Sequence, residues 1–405
     1  MENLSIEVVM KICSFLSVPD LLSAQVVSRS FQAASTPSLY KHASISDLTG
    51  PTLIDTLNQQ PSLRCQVKAI ELGSDFTFRG GYPGNPLDTV MLPLINHCTS
   101  LCSLKICWMD AINAIEAEFF DSLVNLPAIT ELAWSSMPAR VPLKRLLPAL
   151  TVWAPRLRSL SLSGVFEVLT TEEEPMEQLE MPYLFHLALG TVEILDEHFI
   201  RLFGRMERLQ TVDLALMVAN APSDEAVYRA LSRTGITITE LKLEKAWTGE
   251  GREVAQLGQD VVRSCQAGIL KSLSLNGATM NADLFKLPQL VQLEELELTV
   301  FTGLQATLFG DILEWMQDKP VKLQKLLAYN VDYEQNMDTN AQEALRVHVE
   351  ERGIEFDSGA IFGSVYLSRS RKKLMVEQTL ATSSSACQPK NLFWSIGHVE
   401  ITMSV

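Results

Sequence analysis

Apolar residues recur along the middle of the chain in a short pattern that repeats at a nearly constant distance. From residue 65 onward, the order apolar-x-x-apolar-x-apolar appears ten times, with successive copies starting about 28 residues apart on average. The alternating end of each copy predicts a half-buried β-strand, because every second side chain of a strand points to the same face. The ten triplets are Val67/Ile70/Leu72, Leu101/Leu104/Ile106, Ile129/Leu132/Trp134, Leu157/Leu160/Leu162, Leu184/Leu187/Leu189, Leu209/Val212/Leu214, Ile238/Leu241/Leu243, Leu270/Leu273/Leu275, Leu293/Leu296/Leu298 and Leu323/Leu326/Ala328.

Helical patterns fill the intervals between these strands. They cover 115–126, 143–153, 197–206, 224–232, 254–265 and 304–317. A strand and a returning helix, repeated at this period, predict an α/β solenoid with parallel strands on the concave face and helices on the convex face. The pattern resembles degenerate leucine-rich repeats. Apolar residues such as Val165 and Val192 replace the asparagine that usually follows each strand, so we expect apolar packing to hold that turn.

Side chains between the triplet positions are predicted to point to the open concave face. They are small, polar and of mixed charge, which suits a protein or peptide better than a lipid, although plain solvation explains them equally well. The candidate target-binding residues are His186, Asp213, Glu240, Lys242, Glu295 and Glu297.

The first 45 residues follow a helical period instead. Ser5 is predicted to cap a helix that reaches Leu16, and Asp20 to cap a second helix that reaches Val27. A third helix is predicted at 30–35, ended by the proline that follows. Three helices this short carry more apolar side chains than they can bury among themselves. Part of that surface must therefore meet the rest of the chain or another protein.

The order of residues in this segment resembles an F-box. The matching pieces are Leu4-Ser5-Ile6-Glu7-Val8, Ile12-Cys13-Ser14-Phe15-Leu16, Asp20-Leu21-Leu22, Val26-Val27-Ser28-Arg29-Ser30-Phe31 and Leu39-Tyr40. Ser5 stands where the family usually has proline, and Phe31 where tryptophan is frequent. F-box helices dock on the Skp adaptor of an SCF-type ubiquitin ligase, so the resemblance implies adaptor contacts at Leu4, Ile6, Ile12, Leu16, Leu21, Leu22 and Val27. With its repeats, the chain resembles fungal F-box proteins.

The resemblance implies a substrate-recognition subunit. Its F-box would bind the Skp adaptor, and through it the cullin, while the solenoid would hold an unknown target protein near the ligase. Such a subunit acts by proximity and needs no catalytic residue or cofactor of its own. The alternative is a leucine-rich-repeat scaffold or regulatory protein with no ubiquitin link, in which residues 1–45 cap the solenoid. The sequence does not identify the target, nor whether a modified residue is recognised.

Three regions are thus expected: an F-box at 1–45, a solenoid at 46–357 and a tail at 358–405. The solenoid is predicted to close with a helix that starts at the capping box Thr339-x-x-Gln342, stops at Gly353 and precedes a strand at 354–356. The repeat pattern fails in the tail, whose order the sequence leaves open. Its basic run, 369–373, is interpreted as a solvated charge cluster rather than a nuclear-import signal.

Charge and composition limit the classes of partner and the cellular compartments that are expected for this chain. The 405 residues have a net charge of −15, which opposes binding to nucleic acids or anionic membranes. No apolar run is long enough for a membrane span, and charged residues interrupt the first sixteen positions, which excludes a signal peptide there. Seven cysteines without disulfide spacing favour a reducing compartment, so a cytoplasmic or nuclear location is expected.

Candidate chemistry is sparse. His97, Cys98, Cys102 and Cys107 form the one cluster with plausible metal ligands, but their spacing does not fit zinc knuckles, and packing roles explain the thiols better. A metalloenzyme around Cys98 is therefore the least favoured hypothesis. No nucleophile elbow, P-loop or HExxH motif occurs, so we expect a protein that is not an enzyme. The acidic run 172–174 is interpreted as a solvated loop.

Overall fold

The computed structural model describes residues 4–45, 50–72, 92–108, 117–136, 141–166, 179–203, 206–216, 222–234, 237–245, 254–266, 268–276, 282–300, 308–318, 322–330, 339–360, 394–396 and 399–401. The chain divides into two units, Met1–Ala360 and Ile361–Val405. The acidic run 172–174, the basic run 369–373 and most of the predicted tail lie outside the described residues.

A twelve-stranded parallel sheet forms the body of the first unit, and its strands follow one another in chain order. They are β1 (His42–Ile45), β2 (Ala69–Leu72), β3 (Ser103–Trp108), β4 (Glu131–Ser136), β6 (Ser159–Ser163), β8 (His186–Gly190), β9 (Thr211–Leu216), β10 (Glu240–Lys245), β11 (Ser272–Asn276), β12 (Glu295–Val300), β13 (Lys325–Asn330) and β14 (Glu355–Ala360). Two further short strands, β5 (Val141–Pro142) and β7 (Val165–Phe166), pair with each other.

All ten predicted triplets meet a strand of this sheet, and every triplet residue is buried, with at most 7% of its surface exposed. Equivalent triplet residues lie side by side, as Val212, Leu241 and Leu273 do on β9, β10 and β11. The backbone repeats as well. The carbonyl of Lys68, just before β2, accepts hydrogen bonds from the N–H groups of Cys102 and Ser103 in the next repeat (2.8 and 3.0 Å). The predicted α/β solenoid of leucine-rich-repeat type is confirmed.

Helices return the chain between strands and pack against one another on the side to which the triplets point, closing one continuous apolar core. They are α4 (Gly50–Gln59), α5 (Pro61–Arg64), α6 (Leu92–Ile95), α7 (Ala117–Leu123), α8 (Leu143–Trp153), α9 (Asp196–Phe203), α10 (Asp224–Thr234), α11 (Val254–Ser264), α12 (Leu308–Asp318) and α13 (Thr339–Glu351). Two 3₁₀ helices, Ala282–Lys286 and Pro288–Gln292, replace an α-helix between β11 and β12. After β6 and β8, Val165 and Val192 are buried where leucine-rich repeats usually carry asparagine.

The sheet extends one strand beyond the ten triplets at each end. At the carboxyl end, α13 stops before Gly353, whose φ is +69°, and β14 follows as predicted but runs to Ala360. The Gln342 amide donates a hydrogen bond to the Ser358 hydroxyl (3.1 Å), which ties α13 to β14. At the amino end, β1 pairs with β2 and buries Ala43 and Ile45. The last residues of the 1–45 segment therefore belong to the solenoid sheet.

Three helices precede this sheet: α1 (Ile6–Cys13), α2 (Val18–Gln25) and α3 (Arg29–Tyr40). Ser5 lies at the predicted N-cap position of α1, but its side chain makes no capping hydrogen bond with the helix backbone, and the helix ends three residues before Leu16.

The predicted start of α2 and end of α3 were wrong. Ser17, not Asp20, caps α2, and Pro19 lies in the first turn, where a missing N–H costs little. Pro37 lies inside α3 rather than ending it. Leu39 packs on the N-terminal helices and Tyr40 on the solenoid core, and this packing outweighs the local cost of proline.

The described part of the second unit is a pair of short antiparallel strands, β15 (Trp394–Ile396) and β16 (Val399–Ile401).

Candidate functional site

The N-terminal helices have a small apolar core of their own, separate from that of the solenoid. It consists of Val9 and Cys13 on α1, Leu21 on α2 and Ala34 on α3. Burial in this core raises the pKa of the Cys13 thiol. The spacing of Val9 and Cys13, one helical turn apart, places only one narrow side of α1 inward. The other sides of α1 and α2 remain available.

Those other sides form the most exposed apolar surface in the described chain. Of the fourteen large hydrophobic side chains that are well exposed there, ten lie between residues 4 and 27. We call this set the N-terminal apolar face; it consists of Leu4, Ile6, Val8, Met10, Ile12, Phe15, Val18, Leu22, Val26 and Val27. Phe15 is 76% exposed and Val26 86%. A soluble protein rarely leaves so many neighbouring apolar side chains uncovered unless another molecule covers them.

Most of the predicted adaptor contacts lie on this face. Leu4, Ile6, Ile12, Leu22 and Val27 belong to it. Leu16 is half-buried against the N-terminal core, and Leu21 is a fully buried member of that core. Leu21 therefore packs the unit internally instead of pointing outward.

The predicted adaptor contacts did not include Val8, Met10, Phe15, Val18 and Val26, which also belong to the N-terminal apolar face. The helical spacing of some of these residues relative to the buried positions could have predicted that they are exposed. Val18, Leu22 and Val26 follow one another at four-residue intervals, beside the row that contains Leu21.

Polar groups hold the ends of these helices. The Ser17 hydroxyl accepts the Asp20 N–H (3.4 Å) and donates to the Asp20 carboxylate (2.5 Å), while the Ser28 hydroxyl accepts the Phe31 N–H (3.2 Å). At the start of α1, hydrogen bonds from its own backbone N–H and from Ser5 lower the pKa of the Glu7 carboxyl. These caps fix the helix ends from which the apolar face is built.

The attachment to the solenoid runs through the end of α3. Tyr40 packs on the solenoid core, and the carbonyl of Lys41 accepts hydrogen bonds from Lys68 and Ala69 (2.9 and 3.0 Å). The solenoid thus contacts the N-terminal unit without covering its apolar face.

The six predicted target-binding residues lie on four of the five consecutive strands from β8 to β12. They alternate with the buried triplet residues and are half-buried or exposed, as expected for the concave face. Asp213, Glu240, Lys242, Glu295 and Glu297 lie on β9, β10 and β12, and His186 on the adjacent β8. The Lys242 ammonium forms an ion pair with Asp213 (3.1 Å).

The cysteine and histidine cluster does not come together as a ligand set. Cys98 is fully buried, and burial raises its thiol pKa to about 11. His97 is exposed, and Cys107 lies on β3 beside Ser135 of β4. Across the described ranges, no group of three or more His, Cys, Asp or Glu side chains is arranged to hold a metal ion. Within the same ranges, no helix has the length and apolar character to cross a membrane.

The chain was compared with known proteins in sequence and in structure. None of the curated proteins matches this chain. In structure, the chain is similar to the leucine-rich repeat-containing protein LegL7 from Legionella pneumophila, with a TM-score of 0.42 and 12% identity over 75% of this chain and 97% of the other. In sequence, residues 6–46, which contain the three N-terminal helices and β1, match the F-box-like family.

Proposed function

We propose that this protein is the substrate-recognition subunit of an SCF-type ubiquitin ligase. Its N-terminal helices dock on the Skp adaptor, which connects the protein to the cullin, and its solenoid binds a target protein. Its degenerate repeats resemble those of many fungal F-box proteins. The ligase acts in the cytoplasm or nucleus, where reduced cysteines persist.

The observation that carries this proposal is the N-terminal apolar face. Ten exposed hydrophobic side chains lie on a unit with a separate core, and all of them except Leu4 lie within the segment that matches the F-box-like family. Burying an apolar side chain stabilises an interface by about 1.5 to 3 kcal/mol relative to leaving it in water. Even partial cover of these side chains therefore supplies the driving force for a stable contact.

The protein's own part in ubiquitin transfer is positional. A target held on the solenoid lies beside the transfer site of the ligase, which raises the local concentration of its lysines. Burial raises the pKa of the Cys98 and Cys265 thiols to about 11, so both are in the neutral form and are poor nucleophiles at neutral pH. We therefore assign no catalytic residue to this chain.

Co-purification with the Skp adaptor tests the proposal. Ile12→Asp places a charge on the apolar face and is expected to reduce adaptor recovery at least tenfold. Val347→Asp is the matched control, because Val347 on α13 is as exposed as Ile12 (43% against 40%) but lies on the solenoid. Equal recovery of the wild-type protein and the Ile12→Asp variant would rule out docking through this face.

A further inference from the structure

Three carboxylates on β10 and β12 share one part of the concave face without an ion-pair partner among the described residues. We call Glu240, Glu295 and Glu297 the acidic patch. They accept hydrogen bonds only from neutral hydroxyls: Glu240 from Thr211 (3.2 Å), Glu295 from Ser272 (3.4 Å) and Glu297 from Ser274 (3.1 Å). The adjacent cations are engaged elsewhere, since Lys242 pairs with Asp213 and Lys325 with Glu355.

Two buried oxygens beside the patch also lack partners. Asn276 and Thr299 follow the patch along β11 and β12 and lie next to each other in register, with Glu244 on the other side of Asn276. By strand alternation, both side chains point to the concave face, yet only 5% of Asn276 and none of Thr299 is exposed. The Asn276 Oδ1 and Thr299 Oγ1 atoms have no hydrogen-bond partner in the described structure. Buried acceptors are nearly always satisfied, so an incoming donor would complete this region.

The spacing of the carboxylates distinguishes between possible cationic ligands. Glu240 and Glu295 lie at the same register position on strands two apart, a separation of about 10 Å. A single metal ion bridges oxygens only a few ångströms apart, and no metal-holding group occurs among the residues described. A peptide in the polyproline II conformation has three residues per turn and advances about 3.1 Å per residue, so side chains three residues apart point to the same side and lie about 9 Å apart, close to this distance.

We infer that the acidic patch binds a segment of the target protein in the polyproline II conformation that carries lysine or arginine at every third position. This inference rests on the proposed function, because it names the class of target that the solenoid holds. One basic side chain pairs with Glu240 and the next with Glu295 and Glu297. Their N–H donors also reach the region of Asn276. Charge complementarity supplies the specificity, since the patch rejects an acidic segment of the same shape.

A peptide-binding experiment on the full chain tests this inference. The probe is a fluorescein-labelled peptide of four Ser-Ser-Arg repeats, compared with one of four Ser-Ser-Glu repeats at physiological salt. The patch variant carries Glu240→Gln, Glu295→Gln and Glu297→Gln, which keep the hydrogen-bond acceptors and remove the charges. The control variant carries Glu118→Gln, Glu207→Gln and Glu351→Gln, which remove the same charge from exposed positions off the concave strands.

The arginine peptide is expected to bind the wild-type protein in preference to the glutamate peptide. The patch variant should weaken this binding about fivefold or more, and the control variant less than about twofold. Equal weakening by both variants, or equal binding of both peptides, would overturn the inference. Adaptor co-purification of the same samples separates the two proposals. If the protein binds the adaptor but does not discriminate between the peptides, only the inference is wrong. If the wild-type chain does not bind the adaptor, the proposed function is wrong.

Discussion

Leu21 and Leu22 are consecutive residues of α2 with opposite environments: Leu21 is 3% exposed within the N-terminal core, and Leu22 is 55% exposed on the apolar face. A helix rotates each residue by about 100° from the last, so neighbours in sequence point in different directions. Substitutions at these two positions can therefore test the stability of the N-terminal unit and its proposed adaptor binding separately.

Substitutions at these two positions should have different effects. Leu21→Ala removes buried contacts and should destabilise the N-terminal unit by about 2 to 5 kcal/mol. Leu22→Asp should change its stability by less than about 0.5 kcal/mol but greatly weaken recovery of the Skp adaptor. Hydrogen exchange of α1 to α3 measures the first effect and co-purification the second. Loss of α2 protection in Leu22→Asp would show that Leu22 also supports the fold.

Two deletions should distinguish docking helices from a solenoid cap. Deleting residues 1–28 removes α1 and α2 but keeps β1, so the solenoid should melt within a few degrees of the full chain. Deleting residues 1–45 also removes Ala43 and Ile45, and the loss of Ile45 burial alone costs about 1.5 to 3 kcal/mol. Scanning calorimetry should therefore show a clear drop only for the longer deletion. The cap hypothesis expects the shorter deletion to destabilise the solenoid as strongly.

The regular spacing of the apolar triplets was enough to predict the sheet, because each triplet indicates both where a strand lies and which of its sides is buried. Each triplet occupies the interior face, and the residues between them occupy the other. The same spacing is present at β1, as Tyr40, Ala43 and Ile45, but these residues were assigned to the F-box-like segment, so this strand was missed. The spacing also could not show that Asn276 and Thr299 are buried, since alternation predicts the direction of a side chain but not what covers it.

The N-terminal site was predictable as a module but less so residue by residue. Five of the seven predicted contacts lie on the apolar face, but Leu21 and Leu16 pack inward. Helix limits caused part of this difference. Ser17 caps α2 three residues before the predicted cap, Asp20, and α3 continues through Pro37. In α3, contacts distant in sequence outweighed the local cost of proline, whereas the start of α2 follows from the local Ser17 cap.

The two buried tryptophans of the early repeats should respond differently to the same substitution. Trp153 donates from Nε1 to the carbonyl of Leu126 (2.7 Å), whereas Trp134 Nε1 has no partner in the described structure. Trp153→Phe should therefore cost about 1 to 3 kcal/mol more than Trp134→Phe, because it leaves a buried carbonyl unsatisfied. Phenylalanine at position 134 also keeps an aromatic ring beside Phe119 and Phe120.

Urea unfolding of the two tryptophan variants measures this difference as a shift in the transition midpoint at constant slope. The comparison is internally matched, because both substitutions remove the same atoms from fully buried positions. Equal midpoints would mean that the Trp153 hydrogen bond contributes nothing beyond packing.

Alkaline pH should destabilise the solenoid through its buried thiols. Burial raises the pKa of Cys98 and of Cys265 from an ordinary value near 9 to about 11. The folded state therefore binds these protons more tightly than the unfolded state. The stabilisation is fully present below about pH 9 and is lost as the pH rises through about 11.

A variant with Cys98→Ala and Cys265→Ala tests this prediction. It starts from lower stability, because each change leaves a small cavity, but it lacks the titration of the two thiols. Its free energy of unfolding, measured in urea at several pH values, should fall less steeply between pH 9 and 11 than that of the wild-type protein. Lysines and tyrosines titrate equally in both proteins, so parallel curves would show that the two thiols do not contribute to the pH dependence.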